Sequence, residues 1–255
     1  MSVGRAVAAV AAGALSFGAA VTLARGATVD MPLDAGAPPG ATTVVPIGIS
    51  SAAGILGTDT IITFDPAVLS AVSVAKTTLS QPHTLTTNLS TPGVVRISLF
   101  GATPLSGGGT LLEMTVRSQG PAGATATLHF ASVMLNEGQI PAVLVDGHYC
   151  VQGPPEEVTG LMVSPIAPGS PVAQLAWDAV PFAAVYHLYR AGRADLADLA
   201  CFLPGLTAPG TPDDGATPPQ GTALFYLATA VNCSEESTLG AASSGLERVA
   251  AVLCP

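Results

Sequence analysis

Lysine is almost missing from this chain. Lys76 is the only one, and lysine and arginine together number 8 against 17 aspartates and glutamates in 255 residues. A surface this acidic repels phosphate backbones, which excludes nucleic acid as a partner. Charged residues are only 10% of the chain, so solvated helices lack their usual Glu and Lys. Aromatic rings are few, with one Trp, four Tyr and seven Phe. None of the four cysteines, Cys150, Cys201, Cys233 and Cys254, stands at Cys-x-x-Cys spacing from another, which argues against zinc and thioredoxin-like sites. Beyond residue 26 no apolar run is long enough to span a bilayer.

What remains is Thr, Val and Ala interleaved with 28 Gly and 22 Pro, the material of short strands and tight turns. The first residues differ. Arg5 precedes an uncharged run from Ala6 to Leu23, and Ala24-Arg25-Gly26 offers a small-x-small cleavage site. This order predicts a secretory signal peptide over residues 1–26. A membrane anchor is the competing reading, but the run is weakly apolar and the cleavage site follows at once. With the signal removed, six basic residues face 17 acidic ones, the product carries no membrane span, and it is expected to be secreted, extracellular or at the cell surface. Disulfides persist there. Of the three pairings open to four cysteines, Cys233 with Cys254 is the expected one, because both lie at the end of the chain where they would close a last hairpin.

Two strand-rich stretches follow. In the first, residues 27–152, TTVVPIGI (42–49), GTDTIITFDP (57–66), VVRISLF (94–100), TLLEMTVRS (110–118) and ATATLHF (124–130) are separated by Pro-Gly and Gly-rich turns. Pro46 predicts an edge or bulge. In the strand before Pro66, alternation puts Thr60, Ile62 and Phe64 on the core face and Asp59, Ile61 and Thr63 on the other. In the strand after Pro92-Gly93, Ile97 and Leu99 point inward, leaving Arg96, Ser98 and Phe100 outward. Residues 153–158, beginning Gly-Pro-Pro-Glu-Glu, read as an extended, solvated linker. Residues 159–255 form the second stretch, with alternation at QLAW (174–177), VYHLYR (185–190) and FYLATAVN (225–232) around a Gly/Pro/Asp-rich segment, 204–221. An all-β chain of two sandwich modules is predicted.

Several pieces of the first module stand in the order found in cohesins. They are Pro39-Gly40 before Val44-Val45-Pro46-Ile47, Gly54-Ile55 before Asp59, Ile62-Thr63-Phe64-Asp65-Pro66 before Val68-Leu69, Pro92-Gly93 before Arg96-Ile97-Ser98-Leu99, and Ser106-Gly107-Gly108-Gly109 before Leu111-Leu112. On these, the module resembles a cohesin. The resemblance implies a jelly-roll sandwich of about nine strands, close to the carbohydrate-binding-module fold. It also implies a dockerin-type protein partner that holds calcium in its own loops, so that this chain needs no cofactor or metal. Asp59 then corresponds to a carboxylate that accepts hydrogen bonds from the dockerin, with Ile61, Thr63, Arg96, Ser98 and Phe100 sharing its face. Leu175-Ala176-Trp177, Tyr186-His187-Leu188-Tyr189-Arg190 and Ala228-Thr229-Ala230-Val231-Asn232 are similar to strands of fibronectin type III domains. Leu224 stands where that family often has the corner tyrosine.

Catalytic chemistry finds little footing. His83, His129, His148 and His187 have no partner at ligand spacing. Asp213-Asp214-Gly215 lacks a following calcium-loop pattern. Glu156-Glu157 and Glu235-Glu236 are loop carboxylates, and no nucleophile, base and orienting group come together. The chain reads as a non-catalytic secreted interaction protein. Direct polysaccharide binding is a rival, disfavoured by the scarcity of rings, and a structural or adhesive surface protein is a third reading. N-terminal sequencing of the exported product should find Ala27 first; an intact Met1 on a membrane-embedded protein would contradict the leader.

Overall fold

The computed structural model describes residues 26–255 apart from Pro171 and Asp214. Residues 1–25 of the expected leader, and Asp214 of the Asp-Asp-Gly turn, lie outside the described residues. Eleven strands occupy the first half: β1 (Ala27–Asp30), β2 (Ala35–Ala37), β3 (Thr42–Ile49), β4 (Gly57–Thr63), β5 (Leu69–Lys76), β6 (Thr84–Asn88), β7 (Val94–Phe100), β8 (Gly109–Ser118), β9 (Thr125–Leu135), β10 (Ala142–Val145) and β11 (Gly147–Val151). They form two sheets, ordered β10-β1-β3-β8-β5 and β2-β11-β9-β4-β7-β6. Six further strands follow: β12 (Met162–Pro165), β13 (Ala173–Ala176), β14 (Val185–Ala191), β15 (Ala200–Leu206), β16 (Gly210–Pro212) and β17 (Phe225–Val231). These form the sheets β12-β13-β16 and β15-β14-β17. Among the described residues, the only helical turn is the 3-10 turn Asn136–Gly138.

The first two sheets close over a core by side-chain alternation. Val45, Ile47 and Ile49 of β3 and Met114 and Val116 of β8 meet Ile62 of β4, Ile97 and Leu99 of β7, and Leu128 and Phe130 of β9. Each such side chain contributes roughly 1.5–3 kcal/mol by leaving water. The chain's ends lace the sheets together: β1 pairs in parallel with β10 in one sheet, and β2 with β11 in the other. Each end thus supplies one strand that switches sheets, and counted in that way the jelly-roll has the nine strands expected. The switch from β10 to β11 turns at Gly147, where a Cβ would stand 2.7 Å from the Cβ of Met31; only glycine leaves room for that crossing. Tyr149 is fully buried beside it, with its hydroxyl 2.8 Å from Ser118 Oγ, which itself donates to the Ala37 carbonyl.

Pro46 is accommodated as its chemistry requires. β1 pairs with β3 only at Val29↔Ile49 and Asp30↔Gly48, so at Pro46 only β8 flanks the strand, and a bulge follows between Ile47 and Gly48.

In the chain's second core, β13, β14 and β17 carry Leu175, Tyr186, Leu188, Ala228 and Ala230 around Trp177, 6% exposed just past β13, with Phe202, Leu203 and Leu206 of β15 packed against them. Trp177 meets Tyr186 edge to face, with ring centroids 5.6 Å apart. The Tyr186 hydroxyl accepts the Val180 N–H at 2.9 Å. No strand follows β17 among the described residues. Instead the Glu236 carboxylate accepts hydrogen bonds from Tyr189 on β14, at 2.9 Å, and from Thr229 on β17, with His187 Nδ1 at 3.3 Å. The chain turns back at once in an isolated antiparallel bridge, Val231↔Glu236, and this side-chain network holds it there.

The cysteines correct the expected pairing. Cys233 is bonded to Cys150 and Cys254 to Cys201. The end of the chain is not a hairpin, since residues near Val252 lie beside Ala200 on β15, and this brings Cys254 to Cys201 rather than to Cys233. The linker expectation changes too. Pro155 is buried, and the Cys150–Cys233 bond spans residues 153–158, so a cut there leaves the halves covalently joined. The Cys201–Cys254 bond closes a separation of 53 residues. Replacing both by serine should lower stability by about 2–4 kcal/mol through the freer unfolded chain, read as a shift in the denaturant midpoint.

Candidate functional site

The outward face of the six-stranded sheet is set by the register of β4 with its neighbours. Asp59 stands between Ser98 of β7 and Met134 of β9, Ile61 between Arg96 and Ser132, and Thr63 between Val94 and His129. On β6, Thr84, Thr86 and Asn88 extend the rows of Phe100, Ser98 and Arg96. All six expected residues (Asp59, Ile61, Thr63, Arg96, Ser98 and Phe100) therefore point to this one side, while Thr60, Ile62, Ile97 and Leu99 are buried on the other. Local sequence holds β4 in place. The Asp65 carboxylate accepts the Ala67 N–H at 2.8 Å, turning the chain at Pro66. Gly93, at φ +74°, packs so tightly that a Cβ would lie 2.6 Å from the Phe64 carbonyl oxygen.

Asp59 is exposed, and Ser98 Oγ donates to its Oδ1 at 2.5 Å. This bond orients the carboxylate and leaves Oδ2 for another donor. Beside it opens a cleft of about 560 Å³, bordered by Leu56, Gly57, Phe100, Met134 and Glu137. Phe100, Met134 and Leu56 expose 53%, 47% and 42% of their surfaces. Two carboxylates and three apolar side chains thus share one concave end of an otherwise flat, Thr-rich face. Such a surface can direct a hydrogen-bond donor or cation to Asp59 while burying an apolar neighbour around it.

The end of the cleft depends on Asn136, a residue that the sequence reading missed. Its Oδ1 accepts the N–H groups of Leu56 and Gly57 at 2.8 and 3.1 Å, and its Nδ2 donates to the Gly54 carbonyl at 2.8 Å. Asn136, Glu137 and Gly138 all have positive φ, at 47°, 57° and 86°. Asn and Gly tolerate this region and Glu does not favour it, so the three hydrogen bonds stabilise a strained turn. The Asn-Glu-Gly turn signal was visible in the sequence; its partners some 80 residues away were not. Leu56, Met134 and Glu137 were missed for the same reason.

Farther along the face, His129 Nδ1 lies 2.7 Å from Asp146 Oδ2, and Asp146 Oδ1 accepts the Phe130 N–H at 2.9 Å. The His129 bond, helped by that N–H, holds the Asp146 carboxyl below its ordinary range. His148 is half-buried on β11, His83 is buried between β5 and β6, and His187 belongs to the Glu236 network. Among the described residues no three His, Cys, Asp or Glu side chains gather as metal ligands. Asp213 is engaged with its own turn, accepting the N–H groups of Ala173 and Gly215.

Residues 27–149 match the cohesin domain. The domain is a non-catalytic interaction module, and it spans the jelly-roll just described. Among solved structures, a non-cellulosomal cohesin from the archaeon Archaeoglobus fulgidus is 16% identical, with a TM-score of 0.44, over 49% of this chain and 91% of the other. The sixth cohesin of Acetivibrio cellulolyticus scaffoldin B, solved with a Cel5 dockerin, is 18% identical, with a TM-score of 0.45, over 50% of this chain and all of the other. A Clostridium thermocellum cohesin solved with a dockerin is 15% identical, with a TM-score of 0.43, over 49% and 92% of the two chains. No curated protein matches the chain at a significant level.

Two expectations follow from this geometry. Asn136→Ala leaves three polar groups without their partner and puts at φ 47° a residue that tolerates the left-handed region less well than Asn, so it should cost about 1–3 kcal/mol in denaturant unfolding. Asp146, whose carboxyl is depressed in the folded state, contributes stability that is present above its unfolded value of about 3.9 and is lost as pH falls through the lower folded value. Wild type and Asp146→Asn should therefore differ most near neutral pH and converge in acid, as read from unfolding curves at both.

Proposed function

We propose that residues 27–152 form a working cohesin that binds a dockerin-type protein module through the outward face bearing Asp59, Ile61, Thr63, Arg96, Ser98 and Phe100. The observation that carries this reading is the joining of an oriented, half-free carboxylate to an apolar cleft on one exposed face of a domain that matches cohesins. Asp59 supplies direction through charge-assisted hydrogen bonds, and the rim of Phe100, Met134 and Leu56 supplies apolar burial. The partner's calcium belongs to the partner's own loops, so chelation acts on the partner and not on this chain.

The rest of the reading follows the same module. The leader pattern and two disulfides support export, and with it assembly outside the cell. The chain divides into a cohesin-like domain over 27–152, a connection over 153–158 and a second domain over 159–255. That second domain is read as a fibronectin type III relative. The sheet orders β12-β13-β16 and β15-β14-β17 and the buried Trp177 support this; the lack of a strand after β17 among the described residues, and Leu224 in place of the corner tyrosine, set it apart from the usual pattern.

Calorimetry with a calcium-loaded dockerin tests the proposal. Asp59→Ala should weaken binding by about 1–3 kcal/mol while scarcely changing the unfolding midpoint, because the side chain lies outside the core. Chelator should abolish binding and leave this protein's melting temperature alone. Unchanged affinity in the variant would remove Asp59 from the interface, and binding of soluble polysaccharide in place of a dockerin would favour the carbohydrate reading.

A further inference from the structure

We propose that the Cys150–Cys233 bond is an orientation lock, holding the sheets of residues 162–231 as a rigid extension of the N-terminal sandwich. Residues 153–158 alone would allow the two halves to swivel. The structure places two contacts across them and a third onto the connection itself. Cys150, on β11, is bonded to Cys233, just past β17. Asn232 Nδ2 donates to the Gly153 carbonyl at 2.9 Å, while its Oδ1 accepts the Ser234 and Glu235 N–H groups at 2.8 and 2.9 Å. The turn between β8 and β9 presses on both Asn232 and Phe182: a Cβ on Gly123, at φ +84°, would lie 2.9 Å from Asn232 Nδ2 and 2.9 Å from Phe182 Cβ. Phe182 is itself held at φ +60°.

These contacts draw on two loops of the C-terminal half, around Phe182 and around Asn232–Ser234, and on the end of β11, the β8–β9 turn and Gly153 at the start of the connection. One contact point permits rotation about itself and two permit a hinge about the line joining them; three fix a body. The covalent bond is the decisive member. The Asn232 hydrogen bond, a longer one from the Gly153 N–H to Ser234 Oγ at 3.4 Å and the apolar contact are each individually weak against water, whereas the disulfide keeps Asn232 and Phe182 within reach of their partners and so makes their contacts effectively intramolecular.

The location gives the lock its consequence. Cys150 lies opposite Thr125 at the start of β9, whereas Asp59 lies opposite Met134 near its end. Nine residues of strand separate the two positions, about 30 Å at roughly 3.3 Å per residue. The C-terminal half is therefore fixed at the far end of the sandwich, directed away from the cleft. It acts as a stiff spacer that presents the Asp59 face without covering it. The lock itself does not depend on what that face binds.

Three measurements on the full chain decide the matter. Digestion with trypsin and chymotrypsin without reductant, followed by mass spectrometry, should find the Cys150 peptide joined to the Cys233 peptide; Cys233 joined to Cys254 would overturn the lock. Backbone relaxation of the wild type should give one rotational correlation time for amides of β9 and β14. Two distinct times, as for independent beads, would overturn it even if the bond is present. In the Cys150→Ser/Cys233→Ser double variant the two times should separate and the radius of gyration should rise. A folded double variant with unchanged relaxation and scattering would show that the bond is not what fixes the arrangement. Loss of dockerin binding in any of these samples speaks to the Asp59 face alone.

Discussion

The pairing of β4 with β7 on one side and β9 on the other governs both halves of this protein's chemistry. β4 keeps register with β7 from Gly57 to Thr63, and the same strand hydrogen-bonds to β9 with one irregularity, between Ile61 and Ile62. Because side chains in a strand alternate strictly, committing Ile62, Ile97 and Leu99 to the core commits Asp59, Ser98 and Phe100 to solvent. Burial thus acts twice: it supplies the free energy of folding and composes the face that remains outside. A slip of one residue would bury Asp59 without a partner, at a cost of several kcal/mol, so the energetics of the core protect the arrangement of the surface.

Around that pairing, long-range polar and covalent ties do what an acidic, lysine-poor chain cannot do with ion pairs. Asn136 fastens the turn after β9 to the strand entry at Leu56 and Gly57. Glu236 gathers Tyr189, Thr229 and His187 into a network in place of a last strand. The two disulfides tie segments 83 and 53 residues apart in sequence. Each acts where regular strand pairing gives out: a strained turn, the end of β17, the connection between the two groups of sheets.

These ties also show how far the reading from residues reaches. Strands such as 42–49 and 94–100 stood out because their alternation or turn signals are strong, and their faces were legible with them. β5 and β6 were not, since their burial patterns scarcely alternate. β15 and β16 lie within or beside a Gly/Pro-rich segment and exist because β14 and β13 offer them pairing. Propensity said loop there, and tertiary pairing overrode it.

The sequence by itself determined the all-β class, the order of the cohesin-like elements and the outward set Asp59, Ile61, Thr63, Arg96, Ser98 and Phe100. The first two follow from composition and the succession of strands and turns along the chain, and the outward set from neighbours within a strand, where a period of two fixes direction. Only the tertiary structure decided that Asn136 and Met134 complete the cleft, that Cys233 meets Cys150 rather than Cys254, and that the connection over 153–158 is bridged. Those facts depend on which distant segments arrive side by side, and spacing along the chain carries no information about that until the sheets have closed.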